Sequence, residues 1–193
     1  QRDMQSGITR ALTLGGAGTW SPTPDGSRIT FIGLLGTSGA FMQMYVWNTA
    51  TASRIYTNAI QSPRSVAISP NGLRVAYIDS SGATTLYTTH LVSNTTATVS
   101  SGTFPSYWIK LSQDGRYLAY ATTAAKANDS NGVSDVWLYD CNTATDTQVC
   151  RAYNSNLTPS GTSDFPENHI NKQLSILKCS WVFQFWFHIH HRQ

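Results

Sequence analysis

The sequence contains few of the arrangements that a catalytic site requires. Serine hydrolases place their nucleophile in a Gly-x-Ser-x-Gly turn, with a histidine and an acid elsewhere in the chain. The nearest stretch, Gly36-Thr37-Ser38-Gly39, has the wrong spacing and lies where a hairpin loop is expected. The glycine-rich run at residues 14–18 lacks the lysine and the following helix of a phosphate-binding loop, so we interpret it as a connection. We therefore expect no enzymatic activity and no cofactor.

Two segments contain groups that could bind a metal ion. Residues 128–135 alternate amide, carboxylate and hydroxyl side chains around a glycine, which suits a hard cation such as Ca²⁺. They lack the terminal glutamate of a calcium loop, so a polar turn built on Asn-Gly is the preferred interpretation. Cys179 and the three histidines near the C-terminus could form a zinc site, although a disordered basic end accounts for the same residues. We expect no metal site in either segment.

The cysteine pattern indicates neither zinc nor thioredoxin chemistry, because the three residues Cys141, Cys150 and Cys179 include no Cys-x-x-Cys pair. Cys141 takes the position of Leu91 in the repeat described below, so its simplest role is a small core residue. A disulfide between Cys141 and Cys150 is the alternative in an oxidising compartment, although hairpin register does not place the two residues opposite one another.

Composition narrows the class of protein further. The 193 residues carry 13 Lys+Arg and 10 Asp+Glu, which gives a net charge of +3. The basic residues are scattered, which argues against nucleic-acid binding. No apolar run approaches the roughly 20 residues that a membrane-spanning helix needs. Charged residues make up 12% and hydrophobic residues 40% of a chain rich in Ser, Thr, Asn and Gly, a combination typical of loop-rich β proteins.

An internal repeat organises the chain. Three segments have Asp-Gly or Asn-Gly before a short apolar run, namely residues 23–31, 69–77 and 112–120. The glycines of these turns are 46 and 43 residues apart. A second motif recurs out of phase with the first, at residues 3–7, 48–52, 90–94 and 140–144. An Asp-Gly turn that feeds a branched and aromatic run predicts a β-hairpin.

Short β-type runs between these markers predict four antiparallel strands in each period. The strands before the turn are expected at 66–68 and 108–111, and the strands after it at 29–32, 75–78 and 117–120. Aromatic strands follow at 42–47, 85–89 and 135–139, and polar outer strands at 9–14, 53–57, 95–99 and 147–152. Four strands in about 45 residues predict a propeller blade, which must stack on its neighbours to bury both faces.

Two of the repeats resemble a known family. Ser-Pro-Asn-Gly-Leu-Arg-Val-Ala-Tyr from Ser69, and Ser-Gln-Asp-Gly-Arg-Tyr-Leu-Ala-Tyr from Ser112, are similar to the WD40-like PD40 repeats of TolB-type β-propellers. The resemblance covers residues 1–166. It implies an all-β propeller, and similar blades occur in periplasmic TolB, in tricorn-type proteins and in the propeller domains of prolyl-oligopeptidase-like peptidases. It also implies a periplasmic or secreted location.

We expect a propeller fragment with about three full blades and parts of two more. Residues 1–14 match the end of a blade, and residues 164–167 resemble the opening of another. Beyond them, residues 167–193 form an atypical aromatic and basic tail, which is either foreign to the repeat or a divergent closing strand. Fewer blades than the usual four to eight would leave blade faces open, so we expect self-association through those faces.

The primary functional hypothesis is a non-catalytic scaffold that binds a protein or peptide partner through loops at one mouth of the propeller channel. The alternative is the substrate-gating propeller of a prolyl-oligopeptidase-like serine peptidase, whose catalytic domain lies outside this chain. The candidate binding residues are Leu35, Thr37, Ser38, Asp79, Ser80, Ser81, Asn128, Asp129 and Asn131. The structural repeat residues are Asp25, Gly26, Arg28, Asn71, Gly72, Arg74, Asp114, Gly115 and Arg116.

Two groups of side chains in the repeat are expected to be structural. The arginines Arg28, Arg74 and Arg116 follow the turn and are expected to brace the blades by hydrogen-bonding to a neighbouring carbonyl or aspartate. Four tryptophans that fall in or beside the predicted strands are expected in the cores between blades, namely Trp20, Trp47, Trp108 and Trp137.

Overall fold

The computed structural model describes residues 2, 4, 7–12, 17–33, 42–59, 62–105, 107–126, 129 and 133–149. These residues form twelve β-strands in three four-stranded antiparallel sheets. The first sheet contains β1 (Ala17–Pro22), β2 (Arg28–Gly33), β3 (Gln43–Asn48) and β4 (Ser53–Ala59). The second contains β5 (Pro63–Ile68), β6 (Arg74–Asp79), β7 (Thr85–His90) and β8 (Thr95–Ser101). The third contains β9 (Ile109–Leu111), β10 (Tyr117–Thr122), β11 (Asp135–Asp140) and β12 (Thr145–Gln148).

The three sheets are arranged as neighbouring blades of a propeller. Within each sheet the strands follow one another in chain order, so each blade is a four-stranded meander. The first strands of the three sheets, β1, β5 and β9, pack beside one another in succession and therefore form the inner edge. We call the sheets blade 1, blade 2 and blade 3 in chain order.

Two hydrophobic cores hold the blades together. One lies between blades 1 and 2, and the other lies between blades 2 and 3. Strand β6 contributes to both because its side chains alternate between the two faces of the sheet. Val75 and Tyr77 enter the first core, whereas Ala76 and Ile78 enter the second. Burying a side chain such as that of Ile78, which is 0% exposed, contributes roughly 1.5–3 kcal/mol.

The observed strands confirm the predicted fold class: an all-β protein with four antiparallel strands per repeat. The glycine run at 14–18 is corrected in part, because Ala17 begins β1 and Gly18 lies within this inner strand rather than in a connection. Of the predicted strand at 9–14, Thr9 forms an isolated antiparallel bridge with Arg2. The tail at 167–193 lies outside the described residues. In the part of the chain that is described, no helix has the length and apolar character needed to cross a membrane.

Candidate binding face

Connections between strands are divided between two ends of the blades, because successive strands run in opposite directions. The turns that join the first strand to the second and the third to the fourth lie at one end, which we call the turn end. It contains residues 23–27, 69–73 and 112–116, and residues 49–52, 91–94 and 141–144. At the opposite end, which we call the loop end, the second strand of each blade ends and the third begins; the chain segments between these strands are 34–42, 80–84 and 123–134.

The two ends differ in how regular their connections are. At the turn end every first turn has five residues and every second turn has four. At the loop end, nine, five and twelve residues of sequence separate the second strand of each blade from the third. The turn lengths are therefore the same in all three blades, whereas the number of residues between strands at the loop end differs from blade to blade.

Each first turn is organised by a buried hydroxyl and a left-handed glycine. The hydroxyls of Thr23, Ser69 and Ser112 accept the main-chain N–H five residues later at 3.0, 3.0 and 2.9 Å. The three side chains are 2%, 0% and 2% exposed. The glycines that follow have φ of 68°, 72° and 72°, a region that residues with a Cβ adopt at a cost. A Ser or Thr three residues before each glycine was visible in the sequence, but its role emerges only from these contacts.

The acidic or amide residue of the turn caps the same loop. Asp25 Oδ1 accepts the Ser27 main-chain N–H at 3.0 Å and the Ser27 hydroxyl at 2.9 Å. Hydrogen bonds from the Thr23 side chain and from Ser27 lower the pKa of Asp25. Asn71 Oδ1 accepts from Leu73, and Asp114 Oδ1 accepts from Arg116, both at 3.0 Å. Polar side chains that satisfy turn N–H groups are the reason Asp and Asn favour such positions.

Hydrogen bonds also join each first turn to the next one along the chain. Arg28 Nη1 donates to the Gly72 carbonyl, which links the turn of blade 1 to that of blade 2. The main-chain N–H of Asn71 donates to the Gln113 carbonyl at 3.2 Å, and its Nδ2 donates to the Asp114 carbonyl at 2.9 Å. The predicted repeat residues therefore pair across both junctions, Arg28 with Gly72 between blades 1 and 2, and Asn71 with Asp114 between blades 2 and 3.

Arg28 and Arg116 make the predicted kinds of contact, with a neighbouring carbonyl and with an aspartate, but the three arginines do not share one repeat position. Arg28 and Arg74 lie two residues after their glycines, whereas Arg116 follows Gly115 directly and Tyr117 holds the equivalent position. Arg116 instead pairs within its own blade with Asp140, at 2.8 Å from Nη2 to Oδ2 and 3.2 Å from Nε to Oδ1. These hydrogen bonds from Arg116 lower the pKa of Asp140.

At the loop end, the described candidate residues form a compact hydrogen-bonded corner. Asp79, the last residue of β6, accepts the main-chain N–H groups of Ser62 and Ser81 on Oδ1, both at 3.1 Å. Its Oδ2 accepts the Ser81 hydroxyl at 2.9 Å. The Ser80 main-chain N–H donates to the Ser62 carbonyl at 2.9 Å, so this five-residue connection is tied to the crossover that enters blade 2.

Other candidate loop residues lie outside the described part of the chain. They are Leu35, Thr37, Ser38, Asn128 and Asn131. Asp129 is described and half-buried. Among the described residues no group of three histidine, cysteine, aspartate or glutamate side chains could hold a metal ion. His90 contacts its own turn, where its Nδ1 lies 3.1 Å from the Ser93 hydroxyl.

A charged contact, not anticipated from the sequence, anchors the long connection of blade 3. Lys126 pairs with Asp146 of β12, and Lys126 Nζ also donates to the Tyr120 hydroxyl at 2.6 Å. That hydroxyl donates to Asp146 Oδ1 at 2.8 Å. Burial, and then the charge of Asp146, raise the pKa of Tyr120, which keeps its phenol protonated. The contact fixes where residues 123–126 leave the blade.

The four tryptophans do not share one environment. Trp137 is 3% exposed in the core between blades 2 and 3, as predicted, whereas Trp20 is 66% exposed on β1. The expectation of a core position is therefore wrong for Trp20. Trp47 and Trp108 are half-buried. In the repeat, Trp20 is equivalent to Val66 and Ile109, whose side chains pack against the preceding blade. The described residues contain no blade before blade 1.

Cys141 is half-buried and packs against the core between blades 2 and 3, as expected for a small core residue. Its thiol is free. The proposed partner Cys150, and Cys179, lie outside the described residues. Burial raises the pKa of the Cys141 thiol, which disfavours the reactive thiolate.

Comparison with known proteins gives structural matches but no sequence family. No family model matches the sequence, and no curated protein matches it. The structure is similar to the β-propeller domain of the Trilobed protease from Pyrococcus furiosus, with a TM-score of 0.54, 11% identity, and coverage of 68% of this chain and 42% of that one. It is also similar to TolB from Acinetobacter baumannii, with a TM-score of 0.52, 16% identity, and coverage of 77% and 35% respectively.

This chain thus spans less than half the length of either of these structures. At such low identity the similarity establishes the fold alone. Together with the three stacked meanders and their shared inner edge, it leads to one conclusion. The described residues form three consecutive blades of a β-propeller.

Proposed function

We propose that this chain is a non-catalytic propeller scaffold that binds protein or peptide partners through its loop end. The observation that carries the proposal is the contrast between the two ends. Turn lengths are the same in all three blades, whereas the loop-end connections have nine, five and twelve residues. Connections that vary on a rigid frame are where scaffolds of this kind place their recognition residues.

The anchoring of the loop end supports the same role. Asp79 and Ser81 hold the short connection of blade 2, and Lys126 holds the start of the long connection of blade 3. A connection fixed at its base presents its remaining residues at lower entropic cost on binding. A periplasmic or secreted location, as implied by the resemblance to TolB-type repeats, is part of this proposal.

A peptide-display selection against the purified protein tests the proposal. Selected peptides should lose binding when residues 127–132 are replaced by a Gly-Ser stretch of equal length, which keeps the Lys126 anchor. A matched control at the turn end, Val92→Ser at a side chain that is 73% exposed, should leave binding unchanged. Peptide binding that is lost in the turn-end variant but kept in the loop variant would contradict recognition at the loop end.

Substrate gating in a peptidase is the second candidate. It is supported by the similarity to a propeller domain that belongs to a protease, at a TM-score of 0.54. A parent reading frame that continues into a Gly-x-Ser-x-Gly α/β region would favour gating. A frame that encodes a complete propeller behind a secretion signal would favour the binding scaffold.

A further inference from the structure

The crossover from β8 to β9 is tied to the connections on both sides of it at the loop end. The main-chain N–H of Gly102 donates to the carbonyl of Thr84, the last residue of the blade 2 connection, at 2.9 Å. The carbonyl of the next residue, Thr103, accepts the N–H of Thr123 at 3.0 Å, and Thr123 begins the long connection of blade 3. Two consecutive residues of the crossover therefore join both connections.

Gly102 also approaches the long connection more closely than a residue with a side chain could. A Cβ placed on Gly102 would lie 2.7 Å from the Ala124 Cβ and 3.4 Å from the Ala124 Cα. In addition, Gly102 has a φ of 143°, a conformation that residues with a Cβ adopt at a cost. Glycine is thus required at this position both by the backbone and by the contact with Ala124.

The blade 2 connection is closed at its base. The hydroxyl of Thr84, its last residue, donates to the hydroxyl of Ser80, its first residue, at 3.4 Å. Arg64 Nε donates to the same Ser80 oxygen at 3.4 Å, which ties the connection to the inner strand β5. Gly82 and Ala83, between the two hydroxyls, are exposed. The connection is therefore held at its ends and presents its middle residues to solvent.

The two connections meet in one surface at the boundary between blades 2 and 3, because Thr84 and Ala124 both contact Gly102. We call this the bridging surface, and it consists of Gly82, Ala83, Gly102, Thr103, Ala124 and Ala125. All six residues are small and uncharged, and each is exposed or half-buried. Small residues let another main chain approach closely. The bridging surface is therefore suited to an extended peptide rather than to a charged group.

We propose that the bridging surface binds one extended, uncharged peptide segment of a partner protein, and that Gly102 is the positioning residue that holds the two connections together. The segment lies across both connections, so neither connection binds it alone. Hydroxyl and main-chain groups, which both donate and accept hydrogen bonds, supply the polar contacts. The proposal rests on the proposed function, because it names the partner chemistry of the loop end.

Peptides from the display selection test whether the two connections bind together. A peptide that depends on residues 127–132 should bind Ala83→Glu about tenfold more weakly, which is about 1.4 kcal/mol, because an uncharged segment cannot neutralise the new carboxylate. Ala50→Glu makes the same change at an exposed alanine of the turn end and should leave binding unchanged. Full affinity for Ala83→Glu, or an equal loss in Ala50→Glu, would overturn the shared surface.

The salt dependence of the same binding tests the chemistry of the partner. Raising NaCl from about 50 to about 500 mM should change the Kd of the peptide by less than about threefold, because salt screens ion pairs and the bridging surface contains none. A loss of affinity well beyond this range would show that charged groups dominate recognition and would overturn the uncharged segment.

Gly102→Ala tests the positioning role, and a second substitution separates this role from stability. The variant should bind the peptide about tenfold more weakly, because the new Cβ must displace Ala124. Adding Ala124→Gly removes the clash but keeps the backbone strain, so affinity should return to within about threefold of Ala124→Gly alone. Binding is measured where urea unfolding shows every variant to be folded. A double variant that binds as weakly as Gly102→Ala would overturn the positioning role.

Limited proteolysis tests the same contact without a ligand. Lys126 follows Ala124 by two residues, and its side chain is 15% exposed in its pair with Asp146. In Gly102→Ala, trypsin should cleave after Lys126 faster relative to cleavage after the exposed Arg54 on β4, because local opening affects one site and global unfolding affects both. An unchanged ratio would contradict the positioning of the long connection by Gly102.

The two proposals can fail separately. If display peptides depend on residues 127–132 but bind Ala83→Glu with full affinity, the scaffold function stands and the bridging surface is wrong. If no display peptide depends on residues 127–132, recognition by the long connection is wrong and so is its shared partner. A faster cleavage after Lys126 in Gly102→Ala would even then support the positioning role of Gly102.

Discussion

The side-chain amide of Asn71 donates a hydrogen bond to the main-chain carbonyl of Asp114 at 2.9 Å, across the boundary between blades 2 and 3. The same position is an aspartate in the other two turns, at Asp25 and Asp114. Only an amide can both cap its own turn through Oδ1 and donate to the next blade through Nδ2. Asn71 therefore combines a local role with a contact between blades.

Replacing Asn71 by Asp should lower the free energy of unfolding by about 1 kcal/mol, because a carboxylate would face the Asp114 carbonyl without a donor. Urea unfolding with unchanged m-values measures the loss. The reciprocal change Asp25→Asn keeps the Oδ1 acceptor and should stay within about 0.5 kcal/mol of the parent. Equal effects of the two substitutions would contradict the role assigned to the Nδ2 donor.

Gly72→Ala should destabilise the protein more than Gly26→Ala. Both glycines are left-handed, with φ of 72° and 68°, so both variants lose about 1 kcal/mol through backbone strain. A Cβ at Gly72 would also lie 2.8 Å from Arg28 Cδ, whereas a Cβ at Gly26 has no neighbour within 4 Å. Thermal or urea unfolding should show the excess for Gly72→Ala. In an Arg28→Ala background, which has already lost the hydrogen bond to the Gly72 carbonyl, the two glycine substitutions should cost the same. An excess that persists would mean that the Arg28 stem is not its source.

Stability should fall at alkaline pH as Tyr77 ionises. Burial, and then the neighbouring Tyr56, raise the pKa of Tyr77 from 10.0 to about 12. Because the folded pKa lies above the unfolded one, this contribution is complete below pH 10.0 and is lost as the pH rises through about 12.

Tyr77→Phe should flatten the dependence of the unfolding free energy on pH between 10 and 12. At neutral pH it should cost about 1 kcal/mol, because the hydrogen bond from Asn58 Nδ2 to the phenol oxygen disappears. Val92→Ser, at an exposed side chain that carries no titratable group, should leave the alkaline slope unaltered. If the parent and Tyr77→Phe gave parallel curves, burial of Tyr77 would not control the slope.

Lys126 and Asp146 should be energetically coupled. Their side chains are 15% and 22% exposed, and both contact the Tyr120 hydroxyl. Lys126→Met and Asp146→Asn should each cost about 1–3 kcal/mol because each leaves a mostly buried partner without its counter-charge. The double variant should be less destabilised than the sum, with a coupling of about 1 kcal/mol in the cycle. Additive losses would show that the pair acts independently.

We expect the face of blade 1 that points away from blade 2 to promote self-association. Trp20 is 66% exposed at the position where Val66 and Ile109 bury against a preceding blade. Trp20→Ser should therefore reduce association in sedimentation-velocity measurements across a range of protein concentrations. Val92→Ser removes another exposed apolar side chain, at the turn end, and serves as the control. A parent that sediments as a monomer at all concentrations would reject this expectation.

Much of the fold could be predicted because the turn motif carries its own physical constraint. Asp25-Gly26, Asn71-Gly72 and Asp114-Gly115 each require a left-handed glycine, and the branched runs after them can pair in only one register without exposing their apolar side chains. Three such hairpins at similar spacing indicate repeated sheets. The number of strands per sheet then follows from the runs between the motifs.

The remaining contacts could not be predicted because they depend on position in space. The sequence predicts a carbonyl or an aspartate as the partner of Arg116, but it does not show that a shift of one residue relative to Arg28 and Arg74 selects Asp140 on the adjacent strand. Lys126 and Asp146 are separated by most of a hairpin, so their pairing depends on the path of the loop between them. Exposure of Trp20 depends on which blade lies beside it, and its residue type does not reveal that.

The chain of hydrogen bonds between the first turns also bears on how such a protein changes its size during evolution. In both links the donors belong to the earlier repeat and the acceptors are main-chain carbonyls of the later one. Every residue type supplies a carbonyl, so a duplicated repeat can receive these donors whatever its own sequence is. Gain or loss of one whole repeat would re-form an equivalent junction, and blade number could change in unit steps by gene duplication or deletion.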